Sequence, residues 1–368
     1  MMEQRSCDRI LLVATLILVG IGIVMIYSSS AIRAQERFGD PAFFLKRQAL
    51  WAAAGMVVML WAMTHDYRRF ERYAPVLLLF SLLLLLLVLV PTVGVKVKGA
   101  RRWLRIFGLS FQPSELARFS LIVFLAGFFA RRADRAETLQ GFLPPFLLTG
   151  AFFVLIALEP NMGTAAVLLM AALALFFAGG CRVLHLFLSL AASAPFLLLL
   201  AAKHPYLKAR LFTILDPSQV SPKSLYQLQQ SLYALGPGGL LGRGLGDSVQ
   251  KLFYLPEPHT DFIFAIVGEE MGFVGSAVVV ILFGLLLWRG TRIALRAPDR
   301  FGCYLSLGIT FALVTQAAVN FGVVVGLLPT TGIPLPFVSF GGSSLLTALL
   351  GIGVLLNISK QGLVRGKA

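Results

Sequence analysis

Charged side chains are what this sequence has least of. Lys, Arg, Asp and Glu make up 13% of its 368 residues, 58% are hydrophobic, and the mean hydropathy is +0.83. A water-soluble domain of this length needs far more charge to cover its surface. Cysteine is nearly as rare. Cys7, Cys181 and Cys303 are scattered, which argues against a disulfide framework and against a thiolate metal site. The four histidines, His65, His185, His204 and His259, are equally dispersed and form no metal-ligand spacing. The short alternating runs of an outer-membrane barrel are missing, because the apolar residues come in blocks. No aromatic-basic motif or helix-turn-helix pattern accompanies the net charge of +15, so nucleic acid is not an expected partner. Such charge in a membrane protein belongs at cytoplasmic helix ends and beside anionic membrane lipid.

What is present is a succession of apolar segments, each near the ~20 residues that a bilayer core of about 30 Å requires. They predict an all-α polytopic membrane protein of about ten transmembrane helices, near 10–28, 48–64, 75–91, 114–130, 142–158, 162–178, 183–201, 261–288, 302–328 and 343–358. No room is left for a separate soluble domain. The unbroken stretch 142–180 is too long for one crossing and divides at Glu159-Pro160-Asn161. The first span exceeds the about 7–15 apolar residues of a signal-peptide core and is read as a retained helix.

Charge sets the expected orientation by its distribution. With the N-terminus inside, 16 Lys and Arg fall on the inner side, 15 on the outer side, and Arg118 within a span. The loops 65–72, 131–141 and 289–300 are short and basic, as cytoplasmic loops are. This orientation makes both termini cytoplasmic and places all three cysteines near the reducing side. Of the 15 external basic residues, 11 lie in two loops, 92–113 and the long loop 202–260 between the seventh and eighth helices.

Four groups of residues could carry chemistry. Asp261 stands where the eighth span begins. A helix cap would explain one acidic residue there, but not the cluster of Glu257, His259 and Asp261 beneath a long basic loop, nor Glu269 and Glu270 two turns deeper. Glu115 and Arg118 lie three apart on one face of the fourth helix. They are either a neutralising pair that lets the helix bury or a cation and its partner for an anionic head group. Arg101, Arg102 and Arg105 flank Trp103 and are either interfacial anchors or a phosphate site that Lys208, Arg210, Arg243 and Lys251 could join. The uncharged stretch Pro329–Ser344, with Ser343 as a candidate substrate contact, holds so many Pro, Gly and Ser residues that it predicts broken backbone lining a cavity.

Four stretches together resemble the SEDS family (shape, elongation, division and sporulation) of bacterial peptidoglycan polymerases. They are Lys98–Trp103 with Gln112–Glu115, Leu255–Phe264 with Gly268–Phe273, Gly326–Pro329, and Gly332–Ser344. The likeness runs from Tyr27 to Ser359. It implies an inverting glycosyltransferase that polymerises lipid II, an undecaprenyl-pyrophosphate-linked disaccharide-pentapeptide, at the outer face of the cytoplasmic (inner) membrane. Asp261 corresponds to the family's required aspartate, the candidate general base for the acceptor hydroxyl. Glu115 and Arg118 correspond to its polar pair, with arginine where lysine is usual. Asn161 stands where the family commonly has Asp, so it is assigned no charge-dependent role. The leaving diphosphate needs positive charge, which the loop arginines or a divalent cation (Mg or Mn) could supply. The implied partners are a class B penicillin-binding protein, a transpeptidase, and other divisome or elongasome membrane proteins. Gln250–Pro256 and Leu355–Ser359 look more like division members, whereas Thr331–Pro336 occurs in elongation members too. A lipid II flippase would also use a polar intramembrane pair and a broken helix, and a transpeptidase scaffold would tolerate loss of Asp261.

Overall fold

A computed structural model describes residues 7–97, 100–106, 109–132, 137–203 and 222–365. Lys98, Gly99, His204, Lys208 and Arg210, named above, lie outside the described residues. Apolar blocks become helices because hydrocarbon offers no partner for a backbone N–H or C=O, so each segment bonds to itself. The helices are α1 (Arg9–Phe38), α2 (Phe43–Thr64), α3 (Arg68–Leu89), α4 (Pro113–Arg132), α5 (Leu139–Leu158), α6 (Met162–Ala178), α7 (Val183–Lys203), α8 (Pro222–Leu235), α9 (Ile263–Leu295), α10 (Arg300–Val324) and α11 (Gly342–Arg365). Among the described residues, eight are long and apolar enough to cross a membrane, and α6 and α7 contain shorter apolar helices. The chain is a multi-pass helical membrane protein.

Two elements depart from the sequence reading. Helix α1 continues to Phe38 instead of ending near residue 28, because hydropathy marks where the membrane ends rather than where the helix does. Gly39 stops it in the left-handed region, φ 71°, with its N–H on the Gln35 carbonyl. Loop 92–113 is a small antiparallel sheet, β1 (Val95–Val97), β2 (Ala100–Ile106) and β3 (Leu109–Phe111), in the order β1-β2-β3. The all-α description therefore holds for the spans and not for this loop.

The bundle pairs α2 with α11, α9 with α10, α3 with α4 and α1 with α9, and α10 also packs on α4 and α6. One end is knitted by polar contacts. The Asp8 carboxylate accepts from Arg289 at 2.6–3.2 Å, and the Asp8 N–H donates to Ser359 at 3.2 Å. The Tyr67 hydroxyl and Arg68 donate to Asp299 at 2.5 and 2.9 Å. Burial pushes Asp299 up, but hydrogen bonds from Tyr67, the Gly302 N–H and Arg68 outweigh it and hold its carboxyl below the usual range. Both described chain ends lie at this end of the bundle, and Asp261 precedes α9 at the other.

Between α10 and α11 the chain runs without helix through the bundle interior, with Ile333, Leu335, Phe337, Val338 and Ser339 buried. Helix α1 accommodates it at Gly22, where a β-carbon would meet the Phe337 carbonyl oxygen at 2.5 Å and the Val338 Cα at 2.8 Å. Gly22→Ala is therefore expected to cost about 1–3 kcal/mol through overpacking, read as a lower thermal midpoint in detergent. Gly20→Ala, with no atom within 4 Å of the new β-carbon, is the control and is expected not to destabilise.

Candidate active site

The interior segment is held by side chains that replace the hydrogen bonds a helix would have made. The Asn320 amide donates to the Asp261 and Ile333 carbonyls, both at 2.8 Å. The Ser339 hydroxyl donates to the Thr260 carbonyl at 2.6 Å and accepts from the Leu335 N–H at 2.8 Å. The Phe340 N–H donates to the His259 carbonyl at 2.9 Å. Segments 259–261 and 332–341, remote in sequence, are thereby one wall. Gly332, at φ 72°, leaves room for the carboxylate beside it: a β-carbon there would lie 3.4 Å from Asp261 Oδ2. His259 is clasped between Phe44 and Phe340, with ring centroids at 4.5 and 5.9 Å.

This wall closes one side of a cavity of about 590 Å³. A second wall comes from the sheet and the α5–α6 turn, with Arg102, Trp103, Gln112, Asn161 and Thr164. The C-terminal end of α1 and the N-terminal end of α2 supply a third, with Arg33, Arg37, Phe44, Arg47 and Trp51. Phe253 and Glu257 complete the rim and hold left-handed backbone, φ 69° and 56°, which is strained for residues with side chains. Behind the second wall sits Glu159, fully buried, with neither oxygen hydrogen-bonded among the described residues. Desolvation pushes its carboxyl up to about 9 against the pull of Arg102, so it is a neutral acid at pH 7.

The chain matches the family model described as "Cell cycle protein", FtsW/RodA/SpoVE, over residues 9–363. It belongs to that family. It is 43% identical over 361 residues to stage V sporulation protein E of Bacillus subtilis (strain 168), covering 97% of this chain and 98% of that one. It is 44% identical over the whole of both chains to the probable peptidoglycan glycosyltransferase FtsW of Geobacter sp. (strain M18). Among solved structures, a chain described under the structural coordination of polymerization and crosslinking by a peptidoglycan synthase complex superposes with TM-score 0.78, at 30% identity, over 97% of this chain and 98% of that one. The rod shape determining protein RodA of Thermus thermophilus does so with TM-score 0.70, at 30% identity, over 97% of each chain.

In this FtsW/RodA/SpoVE member, Asp261, Glu257, His259 and Arg102 meet at the cavity. The other candidate residues lie elsewhere. Arg101 and Arg105 flank Trp103 on β2 and are not in the cavity lining. Lys251 is buried in a brace, bonded to Glu270 at 3.0 Å and to the Gly246 carbonyl. Ser28 donates to the same Glu270 carboxylate at 2.6 and 2.7 Å. Beside it, Glu269 accepts from Ser248 at 2.5 Å, from the Val249 N–H at 2.8 Å and from Arg243 at 3.5 Å. Helix α9 is kinked at Gly272, and the N–H groups of Phe273 and Val274 are satisfied by the carbonyls of Gly239 and Leu240. The acidic pair of α9 therefore holds Arg243 and Lys251 of the loop.

Ser343 is likewise a brace, accepting from the Gln112 N–H at 2.9 Å and tying β3 to the start of α11. Its neighbour Ser344 lines the cavity instead. Sequence reading missed Arg33, Arg37 and Arg47, whose signal was only that they cluster around the connection between the first two spans. Glu115 and Arg118 are buried and paired at 2.7 Å beneath the cavity. Arg118 also donates to Gln316 at 2.5 Å, and the Gln316 amide donates to the Pro334 carbonyl at 2.8 Å. The pair thus supports the cavity wall through Gln316.

Removing one partner of such a pair strands a charge in the interior. Glu115→Ala is expected to destabilise by about 3–5 kcal/mol in a detergent unfolding assay. Glu115→Leu with Arg118→Met is expected to recover most of the loss.

Proposed function

We propose that this chain is a peptidoglycan glycosyltransferase that polymerises lipid II into glycan strands, with Asp261 as the general base. The observation that carries the reading is the Asp261 carboxylate on the wall of a cavity rimmed by arginines and aromatic rings. The names of the relatives support the same chemistry. The acceptor 4-hydroxyl gives its proton to Asp261 as its oxygen bonds to the donor's anomeric carbon, and the bond to the diphosphate breaks. One base on the face opposite the leaving group suffices for inversion. Arg102 stabilises the charge that develops on the diphosphate. Among the described residues no group of three His, Cys, Asp or Glu side chains could hold a metal. The guanidinium groups that line the cavity are those of Arg33, Arg37, Arg47 and Arg102.

The active face is the outer side of the cytoplasmic membrane, because the short basic loops lie at the other end of the bundle. The partner is a class B penicillin-binding protein: a single-span transpeptidase consumes the glycan strands this chain makes, and a structural relative belongs to a synthase complex that couples polymerization to crosslinking.

Two experiments test this. Asp261→Asn keeps size and polarity but loses the proton-accepting oxygen, so glycan synthesis from purified lipid II is expected to fall about 10²–10⁴-fold with insertion intact. Near wild-type polymer would remove Asp261 from the chemistry. For the orientation, Leu241→Cys and Leu295→Cys, 80% and 83% exposed, are placed separately in a chain whose three cysteines are serine. An impermeant maleimide is expected to label the first and spare the second in intact spheroplasts; the reverse pattern would invert the topology.

A further inference from the structure

The second wall of the cavity holds two polar groups that lack hydrogen-bond partners. Arg102 straddles it: the residue lines the cavity, while its Nε is buried and makes no hydrogen bond among the described residues. Glu159, in the turn between α5 and α6, is fully buried behind the wall, and both its oxygens are unbonded among the described residues. A buried carboxyl without a donor and a buried N–H without an acceptor are each costly, and each is what the other lacks. The chemistry proposed for the cavity uses Arg102 and leaves Glu159 without a task.

The packing around Glu159 singles out Arg102. Helices α5 and α6 carry no charged side chain, and they pack on α3, α4 and α10. In α4, Glu115 and Arg118 hold each other at 2.7 Å. The charges of α3, those in the last turn of α4, and Arg300, Cys303 and Tyr304 of α10 lie at the opposite end of the bundle, where Arg131 meets Glu71 and Arg68 meets Asp299. Asn161 in the same turn is neutral and donates its amide to Ser114 at 3.2 Å. The sheet brings Lys96, Arg101 and Arg105 as well, but the electrostatic pull on the Glu159 carboxyl comes from Arg102. Asp261, Glu257 and His259 stand on the other sides of the cavity. At pH 7 Glu159 keeps its proton, because burial pushes its carboxyl up to about 9. A neutral neighbour leaves the charge of Arg102 uncompensated and open to the cavity. A carboxylate in the same place would be an opposite charge in a low-dielectric interior, with the unbonded Nε as its donor.

We infer that Glu159 is a positioning residue for Arg102: as a neutral acid it leaves the guanidinium to the diphosphate, and as a carboxylate it draws the guanidinium behind the wall into an ion pair. The proton it loses goes to solvent, and no bond in the substrate changes. The inference rests on the polymerase reading for its purpose but not for its test, which reads binding as well as turnover. Below about pH 8 the acid is protonated and Arg102 serves the cavity; as pH rises through about 9 that cation is withdrawn.

The full chain is placed in phosphatidylcholine nanodiscs, and its affinity for undecaprenyl diphosphate is measured from about pH 7 to pH 10. Wild type is expected to hold its Kd to about pH 8 and to bind about tenfold more weakly by pH 10. Glu159→Gln has the shape of the protonated acid and cannot ionise. It is expected to match wild type at pH 7, with a thermal midpoint no lower, and to stay flat to pH 10. Arg102→Ala is expected to bind more weakly than wild type at pH 7 and to lack the alkaline loss, because the cation that moves is gone. Glycan synthesis from lipid II with the transpeptidase is expected to fall over the same interval in wild type and not in Glu159→Gln. Wild-type binding that is flat to pH 10 overturns the inference, and so does an alkaline loss that Glu159→Gln retains. A folded Glu159→Gln chain that binds tenfold more weakly at pH 7 overturns it too, because Arg102 would then need a carboxylate rather than a neutral acid. An alkaline loss of binding that Glu159→Gln abolishes, in a chain that makes no glycan at any pH, sinks the polymerase reading and leaves the positioning role standing.

Discussion

A non-helical segment runs through the interior of a helical membrane bundle, and its unpaired backbone groups constrain everything around it. An unsatisfied carbonyl or N–H there costs several kcal/mol, so partners must come from neighbouring side chains. Asn320 and Gln316 of α10 and Gln48 of α2 meet that demand, together with Ser339 from within the segment. The same bonds that satisfy the segment also lock residues 259–261 against it. Asp261 is positioned by the solution to a solvation problem.

Charge is distributed by the same logic. Where the interior is sealed, every acid has a cation or several donors: Glu115 with Arg118, Glu270 with Lys251 and Ser28, Glu269 with Ser248 and two backbone N–H groups. Glu159 meets the constraint differently, by staying protonated. At the cavity the arrangement reverses, and the guanidiniums of Arg37, Arg47 and Arg102 face open space without an ion pair among the described residues. Saturated charge braces the scaffold, and unsaturated charge lines the cavity. This difference separates Lys251 from Arg102, which look alike as basic residues in basic loops.

The apolar helices, the division at Glu159–Asn161 and the break at 329–344 were legible in the sequence because each is a local property. A segment's mean hydropathy decides whether it enters the bilayer, and Pro and Gly decide where helix fails. Asp261 stood out for a related reason: an acid at the start of an apolar span is costly, and the structure places it on the cavity wall. The far end of α1 and the small sheet in loop 92–113 were not. Beyond the membrane boundary the hydrophobic pattern fades, and three-residue strands such as β1 and β3 depend on their partner more than on their own residues.

By itself, then, the sequence determined what crosses the membrane, where the backbone must break, and which residues carry charge. Which charges face the cavity was decided only by the tertiary structure. Lys251 is spent on Glu270, 19 residues away, and Ser343 on Gln112, 231 residues away, whereas Arg47 comes to rest on Phe43 with its donors free. Solvation preference is written residue by residue along the chain. Pairing is a property of two segments and exists only once packing has brought them together.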